Sequence, residues 1–281
     1  MNLRGNSITF HMYPVEEACQ RLKSAGCNSV EMWKDHLKGF KTPALLGHFR
    51  EYAASLGLAL WGLNVVGEEY FQPFGSQAAY DSTLAGLKEY VDYALELGVR
   101  EVMVWEGTHP PFKISQIAML DTLTSLFQEA IAYAAPKGVR FLAEPHPFTL
   151  GMDFEFMKQL CDRLGRAHFG ILFDFCHFGV GKPDGYVEAI YTLGDRTQHL
   201  HYSDSDQRTS ELHFAPGKGQ LDLGAMDRAL REIGFKGTST LDMYGYPLPE
   251  QGYQWGLPRY WAALETIGIE QSTNIGTRPV S

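Results

Sequence analysis

Four short segments of this chain run apolar and then stop on a residue able to bind a cation or move a proton. They are Phe141-Leu142-Ala143-Glu144, Ile171-Leu172-Phe173-Asp174, His199-Leu200-His201 and Ser239-Thr240-Leu241-Asp242. Three carboxylates and one imidazole make an oxygen-rich donor set with one nitrogen. Such a set suits Mn²⁺ first, with Mg²⁺, Co²⁺ or Zn²⁺ also accommodated. Without a cation, three clustered carboxylates would repel and at least one would keep its proton. A lone acid at the end of an apolar run is ordinary; four consecutive runs ending on ligand types are not, provided the fold sets the four ends side by side.

The elements that must do this are eight repeats of an apolar run followed by a helical pattern. Strands are expected over 7–10, 29–33, 58–63, 101–105, 139–144, 169–174, 197–202 and 238–242. Helices are expected over 15–25, 44–56, 78–97, 117–135, 154–164, 186–193, 223–233 and 255–267. The junctions Ala25-Gly26, Leu56-Gly57, Leu97-Gly98, Lys137-Gly138 and Ile233-Gly234 fit left-handed helix caps. The strands are near-continuous apolar runs, as parallel strands covered on both faces should be. Phe10-His11-Met12-Tyr13 lacks the glycine-rich phosphate turn of an open doubly wound sheet. The class is therefore α/β, a single (β/α)8 barrel over residues 1–281 with a loosely ordered tail from 270. In such a barrel adjacent strand ends are neighbours, and residues at the carboxyl ends of strands form the functional face.

Composition narrows the partners. The chain has 281 residues, 44% of them hydrophobic, and a formal net charge of −9 without a dense Lys/Arg run, which disfavours nucleic acid. No apolar run reaches the ~20 residues that span a bilayer, so no membrane segment is expected. The amino terminus lacks a signal-peptide core, and Cys19, Cys27, Cys161 and Cys176 form no Cys-x-x-Cys; reduced thiols and a cytoplasmic location follow. Aromatics in Tyr70-Phe71-Gln72-Pro73-Phe74 and in the last helix are candidate contacts of a homodimer.

The pieces Val30-Glu31-Met32-Trp33, Leu142-Ala143-Glu144-Pro145, Phe173-Asp174-Phe175-Cys176-His177, His199-Leu200-His201 with Asp204, Pro216-Gly217-Lys218-Gly219 and 237–242 occur in one order along almost the whole chain. Together they resemble the xylose isomerase-like TIM-barrel superfamily of sugar isomerases and epimerases, which includes ketose 3-epimerases, fructoselysine 3-epimerase and inosose isomerases and dehydratases. The resemblance implies that Glu144, Asp174, His201 and Asp242 bind one divalent metal and that Glu144 and Asp242 also move protons. It places His177 on a substrate oxygen and Arg208 on a sugar hydroxyl or anionic tail, with Glu31 contributing to the substrate pocket or behind the ligands. Trp33, Trp105 and Phe71 are candidates for stacking on a sugar face; His11 and His146 are further strand-end candidates. Two departures stand out. Strand eight carries Asp242 where these epimerases have Glu, and Leu150 occupies the place of a glutamate in tagatose-type epimerases.

This constellation suits proton abstraction beside a metal-bound carbonyl, through an enediolate, on a ketose or keto-polyol. Return of the proton to the opposite face epimerises; return to the next carbon isomerises; loss of a β-hydroxyl makes a lyase or dehydratase acting on a keto-sugar, keto-glycoside or inosose. A trinuclear zinc apurinic-site nuclease is a rival, because Glu211-Leu212-His213 resembles its Asp-x-His pair, although Asn64 and Trp105 stand where it has histidines. A non-catalytic sugar-binding barrel is another. Pro216-Gly217-Lys218-Gly219 could hold an anion, but an unphosphorylated substrate is favoured. His199 is assigned to the helix-facing side of strand seven.

Overall fold

The computed structural model describes residues 2–40, 42–66 and 72–270. Eight parallel strands close into one barrel in sequence order. They are β1 (Arg4–Asn6), β2 (Ser29–Trp33), β3 (Ala59–Asn64), β4 (Glu101–Val104), β5 (Arg140–Ala143), β6 (Phe169–Asp174), β7 (Thr197–Tyr202) and β8 (Thr238–Leu241). The helices are α1 (Val15–Ser24), α2 (Pro43–Ser55), α3 (Gln77–Leu97), α4 (Gln116–Ala134), α5 (Phe154–Leu164), α6 (Phe175–Gly181), α7 (Tyr186–Leu193), α8 (Leu223–Glu232) and α9 (Pro249–Ile267). The expected barrel is the one observed, and the five predicted glycine caps all have positive φ.

Three elements differ from expectation. The first strand lies earlier, at Arg4–Asn6, because the Asn6 side chain accepts the Ile8 N–H and turns 7–10 into a 3-10 segment. Its Ser7 hydroxyl then accepts the Trp33 N–H at 2.8 Å, tying the segment to the end of β2. The short helix α6 starts directly on Asp174, whose side chain caps it. The last helix begins at Pro249, a turn and a half before the expected start. Gly256 gives the helix clearance: a Cβ there would meet Pro216 Cδ at 2.6 Å.

The two faces of the strands build separate cores. Phe169, Ile171 and Phe173 of β6 and Leu200 and Tyr202 of β7 join the continuous apolar layer beneath the helices. The alternate residues point into the barrel, where Met103, Leu142 and Leu172 form a small apolar plug with Trp61 against it. Residues two further along β5 and β6 are Glu144 and Asp174, so side-chain alternation sets the acids above the plug. The barrel interior thus grades from apolar to polar along its axis.

Candidate metal centre

Register brings the predicted residues together. Asp174 pairs with His201 across β6 and β7, and His201 with Thr240 across β7 and β8. Glu144 and Asp242 each extend the ladder by one hydrogen bond, from their N–H groups to Val104 O and Tyr202 O. All four side chains are buried. His201 Nδ1 is the hub: it lies 2.8 Å from Glu144 Oε1, 3.5 Å from Asp174 Oδ2 and 3.3 Å from Asp242 Oδ2.

The other nitrogen of His201 is tied down. Nε2 donates to Glu31 Oε2 at 2.8 Å, while Glu31 Oε1 accepts from His199 Nε2 at 2.7 Å and from the Thr240 hydroxyl. Burial would raise the Glu31 pKa, but the His201 and His199 imidazoles outweigh it and hold the carboxylate ionised. A carboxylate behind a ligating histidine fixes its tautomer and turns the free nitrogen outward. Glu31 thus sits behind His201 with both carboxylate oxygens taken, not in a pocket for substrate.

His199 corrects the sequence assignment. It faces the barrel interior beside His201, stacked on Trp61 with ring centroids 4.3 Å apart. Residues two apart on a strand share a face, so period-two counting places His199 with His201 and sends Leu200 to the helices. Burial lowers its pKa to about 4 against the pull of Glu31, so it stands neutral, donating to Glu31 and accepting from the Thr238 hydroxyl at 2.7 Å.

Asp174 divides its oxygens between two tasks. Oδ1 accepts the His177 N–H at 2.9 Å, and Oδ2 is left without a hydrogen-bond partner. His177 itself is buried, with Nδ1 4.0 Å from both Glu144 Oε1 and Asp174 Oδ1. Burial pulls its pKa well below the usual histidine value despite Asp174, with the neighbouring imidazoles adding to the effect. Burial also raises Glu144, opposed by His201 and reinforced by Asp174 and Asp242.

His146 donates through Nε2 to Glu211 Oε1 at 2.9 Å and accepts the Phe148 N–H on Nδ1. Its ring lies 4.4 Å from His177 and 4.9 Å from Trp105, so these three form one wall beside Glu144. Trp33, His11 and Arg208 are not drawn in. Trp33 packs edge-on to His36, His11 edge-on to Tyr244, and Arg208 is exposed with its N–H on Asp206. Phe71 lies outside the described residues. Glu211 is engaged by His146 and Ser210.

Two residues at the centre were not placed there by the strand-end rule. His213, from the loop after β7, presents Nδ1 at 3.3 Å from Asp242 Oδ2 and 3.6 Å from Asp174 Oδ2. Burial lowers its pKa, but the two aspartates outweigh burial and carry it up to about 9. Glu106 follows β4 directly, is buried, and accepts the Gly151 N–H on Oε1 while Oε2 has no partner. Burial pushes its pKa up to about 7.

The donor set fits a divalent cation. Asp174 Oδ2, Asp242 Oδ1, His177 Nδ1, His201 Nδ1 and His213 Nδ1 are buried and lack hydrogen-bond partners. Buried polar atoms are normally satisfied, and several unsatisfied ones facing each other are atoms that a cation could satisfy. By contrast Asp204 is fully used: its carboxylate accepts the N–H groups of Ser205, Gly217, Gly219 and Leu221. Pro216-Gly217-Lys218-Gly219 therefore wraps an internal carboxylate: its two glycine N–H groups go to Asp204 and the Lys218 N–H to Ala215 O.

The topology is that of a closed α/β barrel, with ligand-type residues gathered at the ends of β5 to β8. The family profile of the xylose isomerase-like TIM barrel matches residues 19–262, and the chain belongs to that family. Fructoselysine 3-epimerase of Shigella flexneri is 21% identical over 244 residues, covering 82% of this chain and 85% of the relative. Inosose isomerase of Bacillus velezensis is 23% identical over 176 residues, 60% of this chain and 62% of the relative. Among solved structures, a D-tagatose 3-epimerase-like protein superposes with a TM-score of 0.76 over 95% of this chain and 98% of that one, at 18% identity. The IOLI protein with a bound zinc atom gives the same TM-score at 20% identity over 95% of this chain and 98% of that one.

Proposed function

We propose that this chain is a divalent-metal-dependent sugar isomerase or epimerase acting on a ketose or keto-polyol. The observation that carries the reading is the convergence of buried carboxylate oxygens from the ends of consecutive strands on His201 Nδ1, which has no hydrogen-bond partner. The names of the family relatives support it. A divalent cation held by Glu144, Asp174, His201 and Asp242, Mn²⁺ first, would supply Lewis-acid polarisation of a substrate carbonyl.

The protein groups do the rest. Glu144, its pKa raised by burial and by like charges, is suited to take a proton from carbon and give one back near neutral pH. Asp242, across the centre from Glu144, is the second carrier. His177, kept neutral by burial, offers Nδ1 to a substrate oxygen. Glu31 holds the His201 ring in register. His146, Trp105 and His177 wall the Glu144 side and keep bulk water from it.

A lyase acting on a keto-sugar is the second reading, and Asp242 favours it. The side chain is one methylene shorter than the glutamate of the epimerases, and Oδ2 is held 3.3 Å from both His201 and His213. A reaction needing one base tolerates that better than a two-base epimerisation. The test is proton exchange: incubate Mn²⁺-loaded protein with ketoses, inososes and keto-glycosides in D₂O and follow them by NMR. Deuterium should enter the carbon beside the carbonyl, and Glu144→Gln or chelation should abolish this. No exchange on any of them, with metal bound, would overturn the assignment.

A further inference from the structure

His213 is a residue whose placement the four-ligand set does not explain. It is buried, its N–H is donated to Tyr244 O at 2.9 Å, and Phe214 beside it is paired in both directions with Asp204. The backbone is therefore clamped between the loops that follow β7 and β8. The ring is oriented as well: Nε2 lies 3.0 Å from Ser210 O. A carbonyl can only accept, so Nε2 carries a proton and Nδ1 is the nitrogen left to ligate. Nδ1 faces two carboxylate oxygens and has no hydrogen-bond partner. His201 is presented in the same manner, Nε2 tied to an acceptor and Nδ1 forward.

The four atoms Asp174 Oδ2, His201 Nδ1, Asp242 Oδ2 and His213 Nδ1 close a ring whose sides are 3.5, 3.3, 3.3 and 3.6 Å. Neighbouring donors around one cation, with bonds of about 2.0–2.4 Å, sit roughly 3.0–3.4 Å apart. A shared cation would satisfy all four atoms at once. The same ring accounts for Asp242: set back by one methylene, it meets a histidine delivered from the neighbouring loop.

We propose that His213 is a fifth protein ligand, through Nδ1, of the same ion that Glu144, Asp174, His201 and Asp242 hold. The proposal rests on the metal-centre reading above and adds a nitrogen to it. With five protein donors a six-coordinate ion keeps one position open, so a substrate enters through a single oxygen, not as a chelate of two. The second nitrogen also moves the donor set toward Zn²⁺ and Co²⁺ relative to Mg²⁺.

The test uses the full chain labelled with ¹⁵N-histidine and loaded with one equivalent of ¹¹³Cd²⁺ as an NMR probe. One-bond coupling of cadmium to two histidine nitrogens is expected, with one coupling lost in His213→Gln and metal affinity lowered about tenfold or more. Coupling to one nitrogen in the wild type, unchanged in His213→Gln, would overturn the fifth ligand and leave the metal centre standing. Binding of two equivalents, with His213 on its own ion, would also overturn it. No stoichiometric binding at all would remove the metal centre itself. If His213→Gln fails to fold, the wild-type coupling count alone decides.

Discussion

Glu106 offers a measurement of how this barrel treats a buried acid that has no cation of its own. Its carboxyl is buried, one oxygen takes the Gly151 N–H, and the other has no partner. Burial raises its pKa from 4.5 to about 7, opposed by Thr149 and backbone amides and reinforced by Glu144. The folded-state value is above the unfolded one, so the folded state binds the extra proton. The group costs nothing below about pH 4.5 and a growing amount between 4.5 and 7. Above that the cost levels at about 3 kcal/mol. Glu106→Gln keeps the acceptor for Gly151 and removes the titration. Urea unfolding of both proteins, with chelator present, should show the variant gaining about 3 kcal/mol relative to wild type between pH 4.5 and pH 8. Any constant cost of an unpaired amide shifts both ends equally, so the slope is the readout. A stability difference that is flat with pH, or that moves in favour of the wild type as pH rises, would refute the reasoning.

Other consequences are as direct. Glu31→Gln removes the charge behind His201 and should weaken Mn²⁺ binding about 10- to 100-fold by titration calorimetry, with little change in the metal-free fold. Asp204→Ala orphans four backbone N–H groups in the loop that carries His213; it should cost at least about 3 kcal/mol in denaturant unfolding. Saturating Zn²⁺ or Mn²⁺ at about a hundred times its dissociation constant should stabilise the chain by about 2.7 kcal/mol, and a chelator should reverse this in a thermal melt.

The barrel was legible because each of its units announces itself. A short, mostly apolar run followed by a helix with an apolar stripe recurs along the chain, often closed by a glycine cap, and that period leaves few other folds. The strand-end acids were legible for the same reason: Glu144 and Asp174 lie where an inward-facing apolar pattern turns polar. Errors arose where local chemistry overrode the pattern. The Asn6 side chain bends the chain early and moves the first strand. The last helix was expected from 255 but starts at Pro249, and Gly256 lets it press on Pro216. His199 was misassigned by parity, and counting by two along β7 recovers it. Glu106 had a signal too, being the first polar residue after the β4 run, but Trp105 drew the eye as a sugar-stacking ring.

His213 is a residue whose position the strand pattern does not give, although Glu211-Leu212-His213 resembled a metal-binding pair, and the reason is physical. A strand delivers its side chains by periodicity, which one sequence displays; a loop delivers them by whatever its backbone is tied to. Here the tie is Asp204. Its carboxylate gathers amides from Ser205 to Leu221, and its backbone pairs with Phe214, so the loop is folded around a buried charge. A Cβ on Gly219 would meet Asp204 Oδ1 at 2.4 Å and the Ser205 backbone at 2.5 and 2.6 Å, so only glycine closes the wrap. That closure sets His213 against Tyr244 O and turns its ring onto Ser210 O. Asp204 and Gly219, which touch neither Glu144 nor Asp174, therefore decide whether a second imidazole reaches the centre. The family resemblance of Pro216-Gly217-Lys218-Gly219 is best understood in those terms, as the scaffold for a loop-borne donor.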